Sequence, residues 1–133
     1  MSPTAKSENT KPEILVRKFL HSAGLRFRLH QKIGNVKPDI ILKRWNTCIF
    51  IHGCFWHQHE GCKLAYIPKS NTDFWTTKFQ KNRARDQRNI EHLKTMNWKI
   101  GVIWECAVRQ GLIEKTDFKK LIVNSDFWEI GIQ

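Results

Sequence analysis

Apolar residues recur along this chain at two spacings, one suited to helices and one to strands. Between Pro12 and Ala23, the residues Ile14, Leu15, Phe19 and Leu20 gather on one side of a helical repeat and predict a buried face. Thr10-Lys11-Pro12-Glu13 reads as a capping box with proline in the first turn, and Gly24 reads as the stop. Phe27-Arg28-Leu29-His30 alternates like a short strand. Asn35-Val36-Lys37-Pro38 predicts a loop, after which Asp39 opens a strand over Ile40-Ile41-Leu42. Lys43-Arg44-Trp45-Asn46 predicts a hairpin connection to the apolar strand Cys48-Ile49-Phe50-Ile51. That strand runs straight into His52-Gly53.

The second half is less regular. Ser70-Asn71-Thr72-Asp73 offers several caps and predicts a helix from about Asp73 to Met96, with Asn97 as C-cap. Phe74, Trp75, Phe79, Ile90 and Leu93 are apolar, but Lys78 to Arg88 is dense in charge. Either the helix breaks near Gln80-Asn82 or its middle presents a basic face to a ligand. Lys99 to Trp104 reads as a buried strand, and Thr116 to Val123 as a final amphipathic helix. The order α-β-β-β-α-β-α predicts one α/β domain with a mixed sheet over residues 11–133, behind a flexible polar arm at 1–10.

Charge narrows the partners. The 23 Lys and Arg outnumber 12 Asp and Glu, for a formal charge of +11, which favours a polyanion, nucleic acid before an anionic membrane. No apolar run approaches the roughly 20 residues needed to span a bilayer. The first residues, MSPTAKSENTK, lack the apolar stretch of a secretory signal. These features predict a cytoplasmic protein, where four cysteines and six histidines point to metal or buried thiols before disulfides.

The chemistry concentrates in CFWHQHEGC, residues 54–62. A tetrahedral zinc site takes four Cys or His ligands, and Cys54, His59 and Cys62 can supply three from one loop. Cys106, just after the last predicted strand, is the most attractive fourth, with His57 competing. Cys48 lies inside an apolar strand, where a thiol behaves as a small hydrophobe. Elsewhere Pro38-Asp39 before a strand suits a carboxylate that holds Mg2+ against a phosphate, since hard cations prefer oxygen. The acid and lysine that usually follow on the next strand are replaced by Phe50-Ile51-His52, where the histidine could serve acid–base chemistry. Glu13 has an equally good role in the capping box, and Asp86 as ion-pair partner of Arg83, Arg85 or Arg88.

FIHGCFWH (residues 50–57) and VIWEC (102–106) resemble the signatures of the very-short-patch repair, or Vsr, mismatch endonucleases. The likeness extends through Thr10-Lys11-Pro12-Glu13, Pro38-Asp39, Pro68, Thr72-Asp73-Phe74-Trp75, Lys81-Asn82, Arg85-Asp86 and Asn97-Trp98, roughly residues 8 to 110. It implies a restriction-endonuclease-like core with a structural zinc, and Mg2+-dependent nicking of duplex DNA beside T·G mismatches left by 5-methylcytosine deamination. Carried over, Asp39 resembles the Mg2+-binding carboxylate, with the backbone carbonyl of Ile51 as a further contact where the family often has threonine. His57 resembles the general base, His52 a second histidine at the scissile phosphate, and Glu13 and Asp86 accessory acids. Cys54, His59, Cys62 and Cys106 match the zinc ligands. Phe55 and Trp56, with Trp75, resemble an aromatic wedge that enters the base stack beside the mismatch. Core packing is the competing role, and it suits Trp75 better than two rings on a metal-tied loop.

The sequence departs from the family pattern by an extra residue in His59-Glu60-Gly61-Cys62, and by a short N-terminal arm without the usual basic start, which implies a weaker clamp on DNA. The resemblance also implies a monomer, nucleoid-associated if bacterial, with a functional link to a cytosine-5 DNA methyltransferase and to repair proteins. Two other functions fit the same residues: a related nuclease with another DNA target, and a zinc-stabilised DNA-binding module without catalysis.

Overall fold

The structure, a computed structural model, describes residues 10–132, so the arm expected at 1–10 lies outside the described residues except for Thr10. A strand that is apolar at every position needs cover on both faces. Cys48–Ile51 is such a run, and the strand that contains it, Thr47–His52 (β3), is buried throughout. It sits at the centre of a five-stranded sheet, in the order β1 (Arg28–Leu29), β2 (Ile40–Leu42), β3, β4 (Lys99–Trp104) and β5 (Phe127–Ile130). β1–β2 and β2–β3 are antiparallel, β3–β4 and β4–β5 parallel.

Alternate residues of the central strands feed two cores. Ile40, Leu42, Ile49, Ile51 and Ile103 pack with Val16 and Leu20 of α1 (Lys11–Ser22) and with Phe118 and Ile122 of α4 (Phe118–Asn124). Cys48, Phe50, Ile100, Val102 and Trp104 pack on the other side with Leu93 of α2 (Thr72–Thr95). The mixed α/β architecture expected from the element order is therefore present.

Several details differ from the sequence pattern. In α1 the buried stripe is Glu13, Val16 and Leu20, while Ile14 and Leu15 are exposed. Thr10 makes no side-chain cap, and Glu13 instead accepts from Arg17 one turn on, so the capping box does not form. α2 runs unbroken through Gln80-Asn82 because buried Asn82 donates to the Trp56 carbonyl across 3.1 Å, which gives that polar position a partner. Asn97 takes the left-handed conformation (φ 66°) one residue past the C-cap Met96. The short helix α3 (Glu105–Arg109) and the strand β5 escaped the pattern. β5 places Trp128 opposite Gly101, where a Cβ would lie 2.2 Å from the indole, so only glycine fits.

Candidate active site and metal cluster

Parallel pairing of β3 and β4 sets His52 beside Trp104. Cys54 and Cys106, each two residues further on, consequently emerge at the same sheet end. Turn hydrogen bonds His57 N–H to Gly53, His59 N–H to Cys54 and Cys62 N–H to His59 then coil the loop back on itself. The outcome is a cluster of Cys54, His59, Cys62 and Cys106 whose ligand atoms all lie within 4.8 Å of one another. Nδ1 of His59 is 3.7 Å from Cys54 Sγ and 3.4 Å from Cys106 Sγ. Ligands of a tetrahedral zinc ion stand about 3.5–3.8 Å apart, from bond lengths of about 2.0–2.3 Å. The residues therefore fit a metal ion. Two backbone N–H groups point at the sulfurs, Cys106 N to Cys54 Sγ and Ile132 N to Cys106 Sγ, both at 3.3 Å. Such donors favour thiolate and orient the ligands.

Burial pushes the Cys54 thiol well above its ordinary pKa, with the neighbouring cysteines adding to the shift and the Cys106 N–H opposing it. It holds His59 below its ordinary value, against the pull of the Glu129 carboxylate. Burial thus favours the neutral imidazole, the form that binds metal, whereas it opposes the thiolate, which a bound cation would stabilise. Cys48 stays out of the cluster, buried in β3 with its thiol raised to about 12.

A second group forms on the other side of Trp104. His57, expected as a competing ligand, instead directs Nδ1 at Asp86 Oδ2 across 2.6 Å. Its ring stacks on His52, with centroids 4.0 Å apart and planes 7° from parallel. Atoms of His52, His57 and Asp86 lie within 4.8 Å, brought from β3, the loop and α2. Asp39, just before β2, accepts from the Ile51 backbone N–H at 2.7 Å. In an extended strand a residue's N–H and C=O point to the same edge, so the Ile51 carbonyl faces the Asp39 side while its side chain fills the core. Glu13 is buried beneath Arg17, which also contacts His30 Nε2 at 3.1 Å. His30 follows Leu29, the partner of Ile40 beside Asp39, so this chain of polar groups leads towards the carboxylate.

A family model described as DNA mismatch endonuclease Vsr matches residues 1–63. The type II nicking enzyme V.NmeAIP of Neisseria meningitidis is 46% identical over 116 residues, covering 87% of this chain and 82% of that enzyme. The chain belongs to the Vsr family. V.XorIIP of Xanthomonas oryzae, also named a type II nicking enzyme, is 48% identical over 103 residues, covering 77% of this chain and 75% of its own. The DNA mismatch endonuclease Vsr of Escherichia coli is 37% identical over 103 residues, covering 77% of this chain and 65% of that protein. As a member of the Vsr family the protein is a DNA endonuclease. None of its described helices is long and apolar enough to cross a membrane.

Within this Vsr-family endonuclease, Phe55, Trp56 and Trp75 meet between the loop and the start of α2. All three are half-buried. Phe55 reaches the buried Phe79 with centroids 5.2 Å apart, so this ring packs inward more than a loop position suggested. Trp56 and Trp75 stand 6.1 Å apart, and exposed Tyr66 and Phe74 flank the group. Sequence reasoning missed four supporting residues. Glu105 accepts from Cys54 N–H and is clamped by Arg109; Asn82 holds Trp56; Trp104 separates the two clusters; Glu129 accepts from the Trp104 indole. The glutamate of VIWEC was the available signal for Glu105. Glu129 had none, because the strand carrying it was not foreseen.

Proposed function

We propose that this endonuclease nicks duplex DNA beside T·G mismatches produced by deamination of 5-methylcytosine, with Mg2+ as catalytic cofactor and Zn2+ as structural ion. The observation that carries the reading is the His57–Asp86 pair, held against His52 at the end of the strand that positions Asp39. Asp86 keeps Nδ1 of His57 occupied and orients the ring, leaving Nε2 to take a proton from the attacking water. His52, stacked beside it, faces the same reaction space and steadies the phosphate. Asp39 and the Ile51 carbonyl supply oxygen ligands for the magnesium, which contributes charge stabilisation at the phosphoryl oxygen when bound. Glu13, through Arg17, supports this corner.

Cys54, His59, Cys62 and Cys106 hold the zinc, which ties the loop to α3 and leaves Phe55 and Trp56 aligned with Trp75 as the wedge. A wedge costs a few kcal/mol of unstacking per step, less where the pair is already a wobble. The sheet with its antiparallel β2–β3 hairpin and flanking helices is consistent with a restriction-endonuclease-like core over residues 11–133 acting as one domain. We further assign a monomer working in the cytoplasm, in functional association with a cytosine-5 methyltransferase and repair proteins. The deciding experiment compares cleavage of T·G and fully matched duplexes of one sequence, with Mg2+ and with EDTA. Selective, Mg2+-dependent nicking of the mismatch is expected. Equal cutting of both duplexes would overturn the mismatch assignment, and cutting in EDTA would overturn the magnesium.

A further inference from the structure

At the end of the sheet away from the catalytic residues lies a groove of about 630 Å³ lined by Gly24, Leu25, Arg26, Phe27, Arg28, Ile41, Lys43, Arg44, Trp45 and Lys119. Among the described residues it is lined by five cations and no carboxylate. Among the described residues, none of the five forms an ion pair. Five like charges around one concavity repel one another, a cost that a bound polyanion relieves. The floor is not polar: Ile41 is buried, and Phe27 and Trp45 are half-buried. The Arg44 guanidinium lies over the Trp45 ring, 5.4 Å from its centre, so a cation and an aromatic ring meet at the groove.

We propose that this groove binds a short segment of single-stranded DNA, separately from the duplex held at the active site. Cations for the backbone beside aromatic faces for unpaired bases are the usual components of single-strand sites. Shape favours the same occupant. A pocket of this size takes a ligand of nucleotide dimensions, whereas a duplex is a wide convex cylinder whose bases are already stacked and out of reach. Position separates the two functions. Asp39 precedes β2 and Lys43 follows it, so the groove begins about 13 Å from the catalytic carboxylate at roughly 3.3 Å per strand residue. An endonuclease generates strand ends that can peel from the duplex, which supplies such a segment near the enzyme. The inference does not depend on which duplex step is cut.

The test uses the full chain and a fluorescent oligothymidylate, which has no duplex form of its own. Its anisotropy should rise with protein even when unlabelled duplex is saturating. Arg26→Ala with Lys43→Ala should weaken oligothymidylate binding by about tenfold and flatten its salt slope by roughly 1.4, about 0.7 for each lost phosphate contact. Duplex cleavage and melting temperature should hold. Lys119→Ala, on a different element, should act in the same direction. Complete displacement of the oligothymidylate by duplex would overturn a separate site. So would unchanged affinity in both variants. Equal losses for oligothymidylate and duplex would show a general basic surface and overturn selectivity for single strands.

Discussion

Trp104 stacks on His59, ring centroids 4.1 Å apart and planes 10° from parallel. The same indole meets His52 in a T-shaped contact with centroids 5.0 Å apart, and its N–H donates to Glu129 of β5. One ring is thus a shared wall between the candidate metal cluster and the histidine pair. Tying down His59 steadies Trp104, and Trp104 in turn limits how His52 and His57 can tilt.

Removing that wall should damage both sides. Trp104→Ala is expected to cost about 3–5 kcal/mol of stability, as large-to-small changes at buried aromatic positions do. Metal retention and cleavage should fall further than in an equally destabilised variant remote from the site, such as Ile122→Ala. Melting curves, metal content and turnover of the two proteins make the comparison, and matched losses would deny Trp104 a positioning role.

Gly131 gives a subtler test of the same contact. A Cβ there would meet His59 Cε1 at 2.8 Å, His59 Nε2 at 2.9 Å and Trp104 Cδ1 at 3.0 Å. Gly131→Ala must therefore displace one ring or the backbone, at about 1–3 kcal/mol for an overpacked site. Reduced metal affinity in competition with a chelator is expected, and unaltered affinity would show that the rings give way freely.

The metal cluster should hold one zinc per chain, measurable by elemental analysis. Cys106→Ser should lower the zinc content and the melting temperature together. Acid should act in the same direction. Burial lowers the pKa of His59 in the folded chain, so its contribution to stability is complete above its ordinary value of 6.5. That contribution declines as pH falls from there, because the unfolded chain takes up the proton first. Stoichiometric zinc in Cys106→Ser would exclude that residue as a ligand.

At the catalytic face, Asp39→Ala should abolish cleavage while preserving duplex affinity. His57→Ala should lose about 10²–10⁴-fold in turnover, the usual scale of general-base catalysis. Asp86→Asn should lose less, since the ring keeps a hydrogen-bond partner but not a charged one. Near-normal turnover in Asp39→Ala or His57→Ala would overturn the role given to that residue.

Phe55→Ala with Trp56→Ala separates wedge from packing. A wedge predicts loss of mismatch cleavage beyond any loss of non-specific affinity, because backbone contacts supply the latter. The contact with buried Phe79 also predicts a measurable drop in melting temperature. A destabilised protein with unchanged preference for T·G over matched duplex would remove the wedge.

Much of this protein was determined by local pattern alone. An apolar run such as Cys48–Ile51 has few alternatives to a buried strand, and residues 54–62 place three candidate metal ligands, Cys54, His59 and Cys62, within one loop whatever surrounds them. Signature segments also carried the family. The alternation of Cys48, Ile49, Phe50 and Ile51 between two cores followed from strand geometry as soon as the strand was recognised.

Tertiary structure decided what depends on neighbours distant in sequence. By sequence Glu13 suits a capping box and an active-site acid equally well; in the folded chain it is buried and accepts from Arg17, which also contacts His30, and it takes no part in a cap. His57 could face the thiols or Asp86, and the path of α2 chooses Asp86. Cys106 becomes the fourth member of the metal cluster because parallel pairing puts the ends of β3 and β4 side by side. β5 shows the limit most plainly. Phe127-Trp128-Glu129-Ile130 is too short to declare itself by periodicity, and it becomes a strand because the edge of β4 offers unpaired backbone groups and Gly101 leaves room for Trp128. Hydrogen bonds along a sheet edge and the space above a glycine are properties of the assembled chain, which no window of sequence contains.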